Sequence, residues 1–110
     1  MNLYEINAQE PYYSYIVNGQ KTVEGRLNKG KFSRMQVGDH LLINNESKFK
    51  VERKTNYDSF IEMVKAEGVE NVVPDKKEIE EAANVYYNFF TKEQEREFGV
   101  VAMGISKVEE

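Results

Sequence analysis

The sequence predicts an α+β fold, a β-meander or small barrel followed by helices and a last strand. Three observations carry that reading. Two stretches, "TVEGRL" and "KFKVERKT", alternate apolar and polar residues with the period of a strand, and the compact "HLLIN" lies between them. From Ser59 onward the apolar residues switch to helical spacing. The chain then closes on "VVAMGISKV", β-branched at its start and apolar enough for a buried final strand. Helix, strands, helices, strand is the order of an α+β domain whose last strand returns to the sheet.

Taken in order, the N-terminus opens with a short apolar segment. Pro11 then suits the first turn of a helix, and Tyr12, Tyr15 and Ile16 follow at helical spacing. Gly19 is the expected stop, in the left-handed conformation that glycine tolerates. "TVEGRL" reads as a half-buried strand, with Val23, Gly25 and Leu27 on one face and Thr22, Glu24 and Arg26 on the other. "NKGKFSRMQVGD" is a basic, turn-rich connection in which Asp39 closes a tight turn with its own backbone. After "HLLIN" and the turn "NES", Phe49 and Val51 share one face of the next strand.

Ser59 with Glu62 three residues on marks a helix start, carried by Phe60, Met63 and Val64 and stopped by Gly68. A third helix is expected to open at Asp75 or the lysines after it. Its apolar stripe runs through Ile79, Ala82, Ala83, Tyr86, Phe89 and Phe90. Thr91 with Gln94 forms a second capping box before Gly99. No internal repeat or low-complexity tract is visible.

Composition narrows the chemistry. At 110 residues the chain is expected to be one domain, 1–110, with one modest core. It has no cysteine, which excludes disulfides, thiolate metal sites and cysteine nucleophiles, and a single histidine, His40, which excludes a histidine metal cluster. No metal and no cofactor is expected. No apolar run is long enough for a membrane helix and no signal peptide is visible, so a cytoplasmic monomer with no membrane partner is expected. The net charge of −4 is unevenly spread. Between Lys21 and Lys54 nine basic residues face four acids, a candidate footprint for a polyanion, while the remainder of the chain is acidic.

The residues most in need of a reason are Lys21, Thr22, Glu24 and Arg26, held within six positions. Lys21 stands where a glycine-ended helix turns into a strand, and such a junction can aim a lysine into a cleft as a phosphate ligand or a base. Glu24 and Arg26 lie two apart on one strand face, roughly 7 Å along the strand. They form either a surface ion pair worth ~0–1 kcal/mol or a hydrogen-bonding and acid–base pair. Tyr12, Tyr13, Tyr15, Tyr86 and Tyr87 are candidates for stacking a base, with core packing as the alternative for most of them. Lys29, Lys31 and Arg34 form a basic loop able to hold a phosphate backbone.

With those residues in view, "NGQKTVEGRL…VGDHLLIN" and "AEGVENVVP…YYNFFTKEQEREFGVVAMGI" resemble the ASCH domain, a branch of the PUA-like superfold. The resemblance runs from about Tyr12 to Ile105. It implies a small, partly open barrel with flanking helices and a cleft lined by the Lys21-Thr22-x-Glu24-x-Arg26 motif. It also implies a partner among RNA, single-stranded nucleic acid or a modified nucleoside. Some family members are similar to amidohydrolases of acetylated cytidine, and others have been linked to ribonuclease activity. In that amidohydrolase pattern a threonine taken to be the nucleophile follows the motif lysine by three residues, and here that position is Glu24. The expected site is therefore Lys21, Glu24 and Thr22 for any catalysis, with Lys21, Glu24, Arg26, Tyr12, Lys29 and Lys31 as ligand contacts. Glu67 is a loose match to the pattern's further glutamate. A third reading makes the acidic helices around Glu78–Glu81 and Glu93–Glu97 a docking face for a basic protein.

Overall fold

A computed structural model describes residues 1–109. The strands are β1 (Leu3–Ile6), β2 (Val23–Leu27), β3 (His40–Ile43), β4 (Ser47–Tyr57) and β5 (Val100–Lys107). The helices are α1 (Tyr12–Val17), α2 (Lys31–Arg34), α3 (Phe60–Glu67), α4 (Val69–Val72), α5 (Ile79–Val85), which runs on into a 3₁₀ turn (Tyr86–Asn88), and α6 (Lys92–Phe98). Among the described residues the strands make one sheet in the order β1-β3-β4-β5-β2, curled into a half-barrel. The final strand is thus inserted between β4 and β2 and pairs antiparallel with both.

Strand register explains how the sheet serves two cores. Glu24 lies opposite Met103 and Arg26 opposite Val101, whereas Val23, Gly25 and Leu27 lie opposite Gly104, Ala102 and Val100. Directly opposed residues share a face. Met103 and Val101 belong to a core with Ile6, Ile16, Met35, Leu41, Ile43, Phe49 and Val51, beneath α1 and α2. Val100 and Ala102 belong to a second core with Val23, Leu27, Phe60, Met63, Val64 and Tyr86, beneath the later helices. Glu24 and Arg26 therefore point to the α1 side of the sheet, and β2 carries apolar contact on the other.

The capping residues behave as their spacing predicts. Ser59 Oγ accepts from Glu62 N at 3.2 Å, and Thr91 and Gln94 cap each other's backbone at 3.0 and 2.9 Å. Gly19 ends the first helical segment at φ +88°. Several elements depart from expectation. β2 is buried along its length except at half-buried Arg26: on the face expected to meet solvent, Glu24 is closed in by Lys21 and Arg26. α5 begins at Ile79 behind Glu78, whose reciprocal bonds with Glu81 supply the cap, and not at Asp75. Ile79 and Phe89 of the predicted apolar stripe are exposed.

β1 was not apparent as a strand. It pairs parallel with β3, far away in sequence, and Asp39 holds the pair in place by accepting from Asn2 N at 3.0 Å and Gln36 N at 2.9 Å. β1 and β2 are the two outer strands, and side chains bridge the gap between them. Arg26 Nη2 donates to Asn7 O at 2.6 Å, and Lys31 Nζ donates to Glu5 O at 2.5 Å.

Candidate functional site

The site is assembled where α1 hands over to β2. Lys21 N donates to Tyr15 O at 2.9 Å, fixing the turn after Gly19. Thr22 N donates to Asn71 O and Thr22 O accepts from Ile105 N, each at 3.0 Å. With its backbone held by α4's end and β5, Thr22 turns its side chain to solvent and does not join the pocket.

Lys21 is only 4% exposed, and its three ammonium protons meet three acceptors. These are Val23 O at 2.7 Å, Val72 O at 2.6 Å and Glu24 Oε1 at 3.4 Å. Burial pushes the Lys21 ammonium below its ordinary range, and the Glu24 carboxylate opposes that shift. Glu24 is buried as well. Its Oε2 accepts from Arg26 Nε at 3.0 Å and from Nη2 at 2.8 Å. Burial alone raises the Glu24 carboxyl, but Arg26 and Lys21 together outweigh it and hold the group below its ordinary value of 4.5.

A pH dependence follows, with the sign fixed by that depression. The unfolded chain binds a proton at Glu24 more readily than the folded one, so stability rises with pH through this window. The contribution is fully present above about pH 4.5 and is lost as pH falls through the folded-state value. Asp39, held low by the Asn2 and Gln36 amides, and Glu67, held low by Arg53, act in the same direction. Urea midpoints measured between about pH 6 and about pH 2 should fall steadily below about pH 4.5. A flat profile there would contradict the arrangement.

Above this cation–carboxylate–cation triad lies a pocket of about 260 Å³. Asn7, Ala8 and Gln9 form one wall, Tyr12 and Arg26 another, and Val72, Val73, Val85, Tyr86, Phe89 and Phe90 the apolar remainder. Phe60 supports that apolar wall from behind. Its ring stacks on Tyr86 at 4.5 Å and 6°, and on Phe90 at 5.5 Å and 12°. The Asn7–Gln9 wall is fixed by Asn44, whose Oδ1 accepts from Ala8 N at 2.7 Å and whose Nδ2 donates to Ala8 O at 2.9 Å. The Tyr86 hydroxyl is held far above its ordinary value, by burial first and then by the Glu24 charge. Tyr12 is pushed up to about 12 by burial and by Asp75. Both phenols stay protonated at neutral pH.

Lys21, Glu24, Arg26 and Tyr12 are thus brought together, and Tyr86 joins them. The other candidates lie elsewhere. Lys29 sits over the Phe98 ring at 4.8 Å, and Lys31 is tied to Glu5 O, so the basic loop does not line the pocket. Tyr13 bonds Glu46 and Ser47, and Tyr87 bonds Glu95. Glu67 is engaged by Arg53 and Tyr57, away from the pocket. The sequence reading had no signal for Asn44 or the Asn7–Gln9 wall, since the Asn44 side-chain amide reaches the backbone of Ala8, far away in sequence. Among the described residues no group of three or more His, Cys, Asp or Glu could hold a metal ion, and no helix is long and apolar enough to cross a membrane.

A family model described as the ASCH domain matches residues 6–109. The chain belongs to the ASCH domain family. Its fold is similar to the crystal structure of hypothetical protein PH0355, with 38% identity and a TM-score of 0.92 over 98% of this chain and 100% of that one. It is also similar to the solution structure of protein PF0455 from Pyrococcus furiosus, with 36% identity and a TM-score of 0.83 over 100% of both chains. No curated protein gives a significant match. In this ASCH domain the Lys-Thr-x-Glu-x-Arg segment contributes three side chains to the pocket and turns the fourth, Thr22, away.

Proposed function

We propose that the pocket binds one base of a cytosine-type nucleoside, presented by RNA, by another single strand or as a free modified nucleoside. The observation that carries this reading is a matched acceptor and donor on the pocket floor. Glu24 Oε1 keeps an acceptor position open beside its contact with Lys21. Arg26 spends Nε and Nη2 on Glu24 and Asn7, and its Nη1 donates to no protein group among the described residues.

An exocyclic amino group with a ring acceptor next to it fits such a pair, and a carboxylate is a good acceptor for the cytosine amino group. Uracil fits less well, since its ring N–H lies between two carbonyl oxygens that would face the carboxylate. Tyr12, Phe89 and Phe90 offer faces for stacking. The volume falls just short of the about 300–1,000 Å³ typical of sites for drug-sized ligands, which suits a single base.

Hydrolysis of acetylated cytidine by a covalent route is supported less. No Ser, Thr or Cys is among the pocket-lining residues, the Lys21 protons are engaged, and Glu24 is a weak base because its pKa is depressed. The test is an NMR titration of ¹⁵N-labelled protein with cytidine, acetylated cytidine, uridine and a short single-stranded RNA, with the acetylated sample re-read after hours for free acetate. Shifts at Glu24–Arg26 and Tyr86 that are strongest for cytidine, without acetate, are expected. Uridine binding as tightly as cytidine would remove the basis for the assignment. Acetate release lost on Lys21→Ala would establish the hydrolase instead.

A further inference from the structure

A shallower depression adjoins the pocket and shares Tyr12, Val85 and Phe89 with it. Its remaining polar lining is Glu10, Glu81, Asn84, Asn88 and Lys76. A base seated in the pocket leaves its sugar to lie over such a neighbouring surface, so the chemistry there decides what the base is attached to.

That chemistry suits hydroxyls and opposes phosphate. Asn84 and Asn88 lie four residues apart, where α5 runs into its 3₁₀ turn, and neither side-chain amide bonds another protein group among the described residues. Each offers donors and an acceptor. Glu10 accepts from Ser14 N at 3.0 Å and Ser14 Oγ at 2.9 Å, and Glu81 from Glu78 N at 3.4 Å, so both carboxylates keep acceptor positions open. The one ammonium in the lining, Lys76 Nζ, lies 3.6 Å from Asp75, and Asp75 also receives the Tyr12 hydroxyl. The surroundings are therefore net negative. The basic loop cannot compensate, since Lys29 and Lys31 belong to neither cavity.

Resting on the base-binding reading above, we propose that this depression is a ribose subsite. Glu81 and the two asparagines read the sugar hydroxyls, and the acidic rim rejects a phosphate. The ligand is then a free ribonucleoside, and not a nucleotide or a polynucleotide chain. The base is read by Glu24 and Arg26, and the sugar by α5.

Calorimetric titration with cytidine, 2′-deoxycytidine and cytidine 5′-monophosphate, each at low and high salt, tests this. Cytidine is expected to bind about tenfold more tightly than the deoxynucleoside, the loss of a hydrogen bond to a charged group. It should bind about tenfold or more tightly than the monophosphate at low salt, a gap that salt screening narrows. Glu81→Gln should shrink both gaps, and glutamine at this position still makes the helix-capping bond, so the fold is retained. Cytidine binding with no preference over the monophosphate overturns the ribose subsite and leaves the base pocket standing. No binding by any of the three overturns both.

Discussion

Replacing Glu24 by alanine is expected to lower the free energy of unfolding at neutral pH by about 3–5 kcal/mol, the cost of leaving buried charge without its partner. Two cations depend on this carboxylate. Arg26 has a side chain 19% exposed and can regain water by swinging outward, so part of its loss is recovered. Lys21 has no such route. Its ammonium would keep the Val23 and Val72 carbonyls but lose its carboxylate partner, at 4% exposure. Glu24→Gln should cost less, since it preserves shape and an acceptor oxygen while removing the charge. Urea unfolding of the two variants beside the parent protein gives the comparison. A loss under about 1 kcal/mol for the alanine variant would place the triad with ordinary surface pairs.

The second large effect is expected at Phe60, which is fully buried and makes no contact with the pocket's contents. Phe60→Ala should cost about 3–5 kcal/mol through lost burial and the cavity left behind. The variant is also informative about function. Tyr86 and Phe90 stack directly on this ring, so its removal frees both of them to tilt into the space. Base binding should weaken along with stability, whereas a core substitution elsewhere, such as Leu41→Ala under the other face of the sheet, should cost stability and leave affinity unchanged. Equal affinities in the Phe60 and Leu41 variants would show that the aromatic wall does not depend on its support.

Much of the fold was legible because its signals are local. Ser59, Thr91 and the glycines at 19, 68 and 99 mark helix ends by the chemistry of one or two neighbours, and the structure ends its helices there. β1 was not legible, because four residues pairing parallel with a distant strand leave no periodicity of their own. The same limit applied to α5, whose stripe was right at Ala82, Ala83 and Tyr86 but ran past the core at Ile79 and Phe89.

Around β2, the sequence spacing grouped Lys21, Glu24 and Arg26, and the structure brings the three together in the pocket lining because they are close in sequence. The spacing misplaced Thr22, since alternation describes a strand and Thr22 lies one residue before it begins. Lys29 and Lys31 lie outside the pocket; a count of charges does not say which of them already have an engagement. Phe89 was assigned to the core and lies instead at the pocket's edge, a distinction that depends on how far the helix extends over the sheet.

The gap between β1 and β2 has a consequence for how the molecule responds to what it holds. A barrel closed by a backbone ladder keeps its shape whatever lies inside. Here the closure passes through Arg26, which grips Asn7 with the same guanidinium that lines the pocket. Filling the pocket and fastening the N-terminal strand are therefore linked quantities. A ligand that leaves this grip intact tightens the whole sheet, while one that competes for it must release the strand to be admitted. The seam makes the wall of the container a participant in recognition, and the ligands it favours are those that can be held without unfastening it.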